Sequence, residues 1–114
     1  MQHQTFILKG ENIAEPAGQF VRFYYQEAFL SEYLGGFLMV YEDYSFLNSN
    51  DIMICLRLDS TASEQGIIKI EMISGGGSGD LLLGEVLGSE KRRISHFAER
   101  LEEFCKEKGI VLEM

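Results

Sequence analysis

Ile52-Met53-Ile54-Cys55-Leu56-Arg57-Leu58-Asp59 carries an aliphatic residue at every second position, with Met, Cys, Arg and Asp between them. Successive side chains of a strand point to opposite faces, so this stretch reads as a strand with one face in a core and the other nearer to water. After a polar connection from Ser60 to Gly66, Ile68, Ile70 and Met72 alternate with Lys69 and Glu71 and repeat the pattern. Two half-buried strands joined by a short polar link read as neighbours in an antiparallel meander.

Upstream, the turn cluster Asn48-Ser49-Asn50-Asp51 precedes this pair, and before it Phe37 to Phe46 is rich in aromatic and branched residues, as a further strand would be. Gly35-Gly36 separates that run from Ala17, Phe20, Val21, Tyr24 and Ala28, whose spacing predicts a helix from Pro16 to Leu30. Pro16 is tolerated in a first turn because its missing N–H would have no partner there. Thr5 to Leu8 reads as a short opening strand.

Downstream, Leu81-Leu82-Leu83 is expected as a fourth meander strand. Ser89 reads as a helix N-cap with Glu90 in the first turn, Ile94, Phe97, Ala98, Leu101, Phe104 and Cys105 form one apolar stripe, and Gly109 reads as the C-cap. Ile110-Val111-Leu112 is expected to close the chain as a short strand. The order strand, helix, strands, helix, short strand implies one α+β domain over residues 1–114: an antiparallel sheet of four to five strands with both helices packed on one face.

With 114 residues, 46% of them hydrophobic and 25% charged, the chain suits one folded domain with a proper core. The start, Met1 to Lys9, has no basic segment followed by a long apolar stretch, so secretion and membrane spanning are not expected. The two cysteines, Cys55 and Cys105, lack any C-x-x-C spacing; neither a disulfide framework nor a zinc site is expected, and a reducing cytoplasm fits. The net charge of -8 is unevenly spread: before residue 91 four Lys or Arg face thirteen Asp or Glu, whereas residues 91–114 carry six against five. Such an acidic body repels a phosphate backbone, so nucleic acid is not an expected partner.

Ser74-Gly75-Gly76-Gly77-Ser78-Gly79-Asp80 follows the second alternating strand. Glycines so dense indicate either a tight, irregular turn or backbone brought against a ligand. Backbone N–H groups of Gly75, Gly76, Gly77 and Gly79 could form an anion-binding nest, with Lys91-Arg92-Arg93 at the expected start of the last helix adding charge. Neither the P-loop nor the dinucleotide pattern is present, and no cofactor is implied. The segment Ile73 to Gly79, followed by an apolar stretch and an amphipathic terminal helix, resembles a small uncharacterised family of bacterial domains of about this length that carry a Ser-Gly-Gly-Gly segment before the last helix. The resemblance covers residues 37 to 105 and implies no activity.

Ten of the thirteen aromatic residues, including all five tyrosines, fall between Phe20 and Phe46. One helix stripe and one strand face cannot absorb them all. A larger core, a partner subunit or an apolar ligand would cover the surplus, and an exposed edge strand can pair with its symmetry mate. Phe37, Met39, Tyr41 and Tyr44 are the candidate interface residues. Catalysis has a weak basis: His3 is near the terminus, His96 lies beside the last helix's stripe, and nothing marks Cys55 as an activated thiolate. Glu42-Asp43 interrupts an apolar strand, which reads as edge protection or as a buried carboxylate. The expected function is a non-catalytic, homodimeric interaction protein. The alternative is a small-molecule or anion binder, or an enzyme, using residues 74–80 and Lys91-Arg92-Arg93.

Overall fold

The computed structural model describes residues 2–45, 50–75 and 83–114. Along the chain run β1 (Gln2–Lys9), α1 (Ala14–Tyr24), β2 (Phe29–Tyr33), β3 (Gly36–Ser45), β4 (Asn50–Asp59), a single 3-10 turn (Ser63–Gln65), β5 (Ile67–Gly75), α2 (Leu83–Lys108) and β6 (Val111–Glu113). The strands form one six-stranded antiparallel sheet in the order β2-β3-β4-β5-β1-β6.

Alternation does the sorting. Phe37 and Met39 of β3, Ile54, Leu56 and Leu58 of β4, Ile68, Ile70 and Met72 of β5, and Phe6 and Leu8 of β1 are buried on one face. Both helices cover that face. α1 contributes Ala17, Gly18 and Val21, and α2 contributes Ile94, Phe97, Leu101 and Cys105. Phe97 is the hub: its ring meets Phe6 at 5.6 Å, Phe20 at 5.9 Å and Tyr24 at 5.1 Å. α2 ends at Gly109 with φ +70, where the Ile110 N–H reaches the Cys105 carbonyl at 2.8 Å and ties down the last turn.

Three sequence expectations change. The first helix stops at Tyr24, not Leu30, and Phe29–Tyr33 forms a strand instead, which brings the sheet to six strands where four to five are expected. Ala28 keeps the helical spacing, but its N–H bonds the Tyr25 carbonyl in a turn, and the ladder with β3 outweighs one more helical turn. The last helix begins at Leu83, which places Ser89 inside it and makes the Ser89 cap a correction. Leu83 is therefore helical, not part of a fourth meander strand; Leu81 and Leu82 lie outside the described residues.

Candidate interaction surface

The element that stands out functionally is β2. It is the terminal strand of the sheet, and all five of its residues are exposed. Phe29 is 68% exposed, Leu30 38% and Tyr33 46%. The opposite edge differs, because β6 has three residues and is fastened to β1 by the Lys9–Glu113 pair at 2.8 Å.

The hairpin that presents β2 is built on glycine. Tyr33 faces Gly36 across the two-residue turn Leu34-Gly35, and Gly35 adopts φ +97, which the turn requires. The Ser60 N–H bonds the Gly35 carbonyl at 2.8 Å, so odd-numbered residues of this hairpin's second arm bond toward β4 and even-numbered ones toward β2. Gly36, Leu38 and Val40 thus bond Tyr33, Ser31 and Phe29. The N–H and C=O groups of Leu30 and Glu32 are left pointing away from the sheet.

The side chains of β2 divide by face. Leu30 and Glu32 share the helix side with Met39 and Phe37, while Phe29, Ser31 and Tyr33 share the other. Glu32 pairs with Arg22 of α1 at 2.7 Å, and the same guanidinium lies 4.9 Å from the Phe37 ring centre. Between α1 and this end of the sheet is a cleft of about 440 Å³ bordered by Glu15, Gln19, Arg22 and Glu32. Its one guanidinium is already engaged, so the cleft offers an anion little.

On the sheet face away from the helices, the register sets Phe29, Val40, Cys55 and Ile73 in one row across four strands, with Met53 alongside. Among the described residues no element lies on this row. Farther along the same face the surface is ionic: Glu71 accepts from Lys69 at 2.9 Å and Arg57 at 3.1 Å, and these bonds, Lys69 first, hold its carboxyl below the usual range.

The aromatic surplus at the end of α1 meets α2 and β3. Phe20 stacks on Phe104 at 4.8 Å, Tyr25 lies 4.9 Å from Tyr41, and the Tyr24 hydroxyl shares a hydrogen bond with His96 Nδ1. Burial raises the Tyr24 phenol above its ordinary value, against the pull of Arg100 and Arg93. The Cys105 thiol is pushed up to about 11 by burial, which keeps it protonated and unreactive at neutral pH.

Phe37 and Met39 are buried in the core of their own chain, both paired with β4 and Phe37 beside Gly18 of α1, so they present no surface to a second copy; this corrects their place in the expected interface. Tyr41 is half-buried against Tyr25, and the Tyr44 backbone pairs with Asp51. Gly75 ends β5, buried and opposite Met53; Gly76, Gly77 and Gly79 lie outside the described residues. Ser74 is fully buried, and its hydroxyl has no hydrogen-bond partner among the described residues. Lys91, Arg92 and Arg93 lie more than two turns inside α2, away from its first-turn N–H groups, which corrects their expected position at a helix start. Glu42 is exposed on the open face, on the part of β3 that runs past the end of β2, where the ladder stops at Val40 and β3 is paired on the β4 side alone among the described residues. Sequence reasoning missed β2 itself, although Tyr33-Leu34-Gly35-Gly36-Phe37 carries a short hairpin signal.

Among the described residues no His, Cys, Asp or Glu cluster suits a metal ion, and no helix is long and apolar enough to cross a membrane. The chain matches no protein-family model, no curated protein and no solved structure, so its function is to be read from its own geometry.

Proposed function

We propose that this chain is a non-catalytic interaction protein that works as a homo-oligomer. The observation that supports this reading is the state of β2: a five-residue edge strand, each residue exposed, with two aromatic side chains on one side and backbone donors and acceptors directed outward. Unguarded edges of this kind are templates for pairing, and natural proteins commonly blunt them with charge, proline or short length. Here the one charge on the strand, Glu32, is drawn back onto Arg22. The row through exposed Phe29 and Ile73 and half-buried Val40 and Cys55 enlarges the surface available to a partner.

The Cys105 thiol and the His96 imidazole support a binding role in preference to catalysis. Cys105 is held protonated, and His96 is occupied by Tyr24. A cytoplasmic setting fits two cysteines that form no disulfide. Sedimentation velocity and native mass spectrometry on the purified chain test the proposal. A dimer or higher oligomer is the expected species at tens of micromolar and above, and a bare monomer at every concentration would overturn it.

A further inference from the structure

We infer that β2 pairs antiparallel with β2 of a second copy about a two-fold axis at Ser31, joining two six-stranded sheets into one. This rests on the self-association proposed above and names its partner and register.

The outward backbone groups belong to Leu30 and Glu32, so a symmetric pairing must set these residues opposite each other or opposite themselves. That leaves three centres: Leu30, Ser31 and Glu32. Centring on Glu32 sets two carboxylates directly opposite, which is unfavourable. Centring on Leu30 sets Phe29 against Ser31 and leaves Tyr33 beyond the start of the partner strand. Centring on Ser31 uses all five residues: Phe29 meets Tyr33 of the partner subunit, Leu30 meets Glu32 of the partner subunit, and Ser31 meets its own copy.

That register is also the best matched chemically. Both aromatic rungs fall on the open face beside Val40, where cross-strand aromatic pairs are among the favourable ones. On the helix face the two Glu32 carboxylates become diagonal neighbours, each neutralised by its own Arg22. Every outward N–H and C=O of Leu30 and Glu32 gains a partner. A five-residue strand pair lies at the small end of specific interfaces, below about 1,200 Å², so the dimer is expected to dissociate in roughly the micromolar range.

The test combines cysteine placement with one proline, read by non-reducing electrophoresis and sedimentation. Ser31→Cys is expected to give a disulfide-linked dimer on mild oxidation, because a directly opposed pair lies within disulfide reach. Leu30→Cys and Glu32→Cys are expected to crosslink poorly, and the unsubstituted chain, with Cys55 and Cys105, sets the background. Leu30→Pro removes an outward N–H without touching the ladder to β3, and should weaken association by about thirtyfold or more while its thermal melt stays close to that of the unsubstituted chain. Stronger crosslinking through Leu30→Cys or Glu32→Cys overturns the register. A dimer that no β2 cysteine crosslinks and that Leu30→Pro leaves intact overturns the edge and leaves self-association standing. An unsubstituted chain that stays monomeric removes both.

Discussion

Gly36 lies so close to β4 that a Cβ on it would stand 2.0 Å from the Leu58 carbonyl oxygen. The obstacle is backbone in a paired strand, which cannot rotate aside as a side chain can. Gly36→Ala is therefore expected to cost about 3 kcal/mol or more, the upper range for forcing a methyl into filled space. Urea unfolding measures the loss. Hydrogen exchange should show the ladder between Phe29–Tyr33 and β3 opening first, because Gly36 is where that hairpin closes. A cost under about 1 kcal/mol would mean that β3 can retreat from β4 at little expense.

Phe97 has no exposed surface and touches rings from β1 and α1 at once. Phe97→Ala is expected to destabilise the fold by about 3 to 5 kcal/mol, since one cavity would open between the sheet and both helices. Phe23 supplies the control. It belongs to the same helix as Phe20 but is 69% exposed, so Phe23→Ala should change stability by no more than about 0.5 kcal/mol. Equal losses in the two variants would mean that Phe97 is not the hub of the core.

Much of this fold is legible in the chain because burial leaves a periodic trace. β4 and β5 alternate since each has one face under the helices, and Ile94, Phe97, Leu101 and Cys105 recur at helical spacing because they are the covered side of α2. β2 leaves no such trace, as all five of its residues are exposed, and Ala28 continues the spacing of the helix before it. The start of α2 is hidden for a different reason: Gly84 and Gly88 are poor helix formers, and Ser89 is a good cap residue, so local preference points to a later start than the one observed. Phe37 and Met39 are legible as apolar but not as covered, because only the register with β4 shows which side of the strand the helices take.

Asp59 should set part of the acid limit of stability. Its carboxylate accepts from the Thr61 hydroxyl at 2.7 Å and the Thr61 N–H at 2.9 Å, and these bonds, hydroxyl first, hold its pKa below the ordinary value. A lowered folded-state pKa contributes stability that is present above the unfolded value, about 3.9, and is lost as pH falls through the lower folded value. The turn matters to the β2 hairpin because Thr61 packs beside Gly35. Asp59→Asn should therefore show a shallower decline between about pH 4 and pH 2 than the unsubstituted chain. Urea midpoints across that range measure it, and parallel curves would show that the Thr61 bonds carry no pH dependence.

Cys105 acts at the other end of the scale. Its thiol, shut in beneath the end of α2, titrates at about 11, whereas a thiol in the unfolded chain loses its proton near about 8.5. The raised value means that the folded state keeps the proton where the unfolded state would release it. Stability is thus complete below about pH 8.5 and falls as pH rises toward about 11. The loss is on the order of 3 kcal/mol once both states are ionised. Tyr24, also raised by burial, adds to the decline in the same direction from about pH 10 upward. Cys105→Ala removes the thiol's share, so between about pH 8.5 and pH 10, below the tyrosine's range, its stability should be nearly flat while that of the unsubstituted chain drops. A thiol reagent at pH 8 should meanwhile reach half-buried Cys55 in the native protein and Cys105 only on unfolding. Rapid labelling of both thiols in the native state would show that the core beneath α2 is open to solvent.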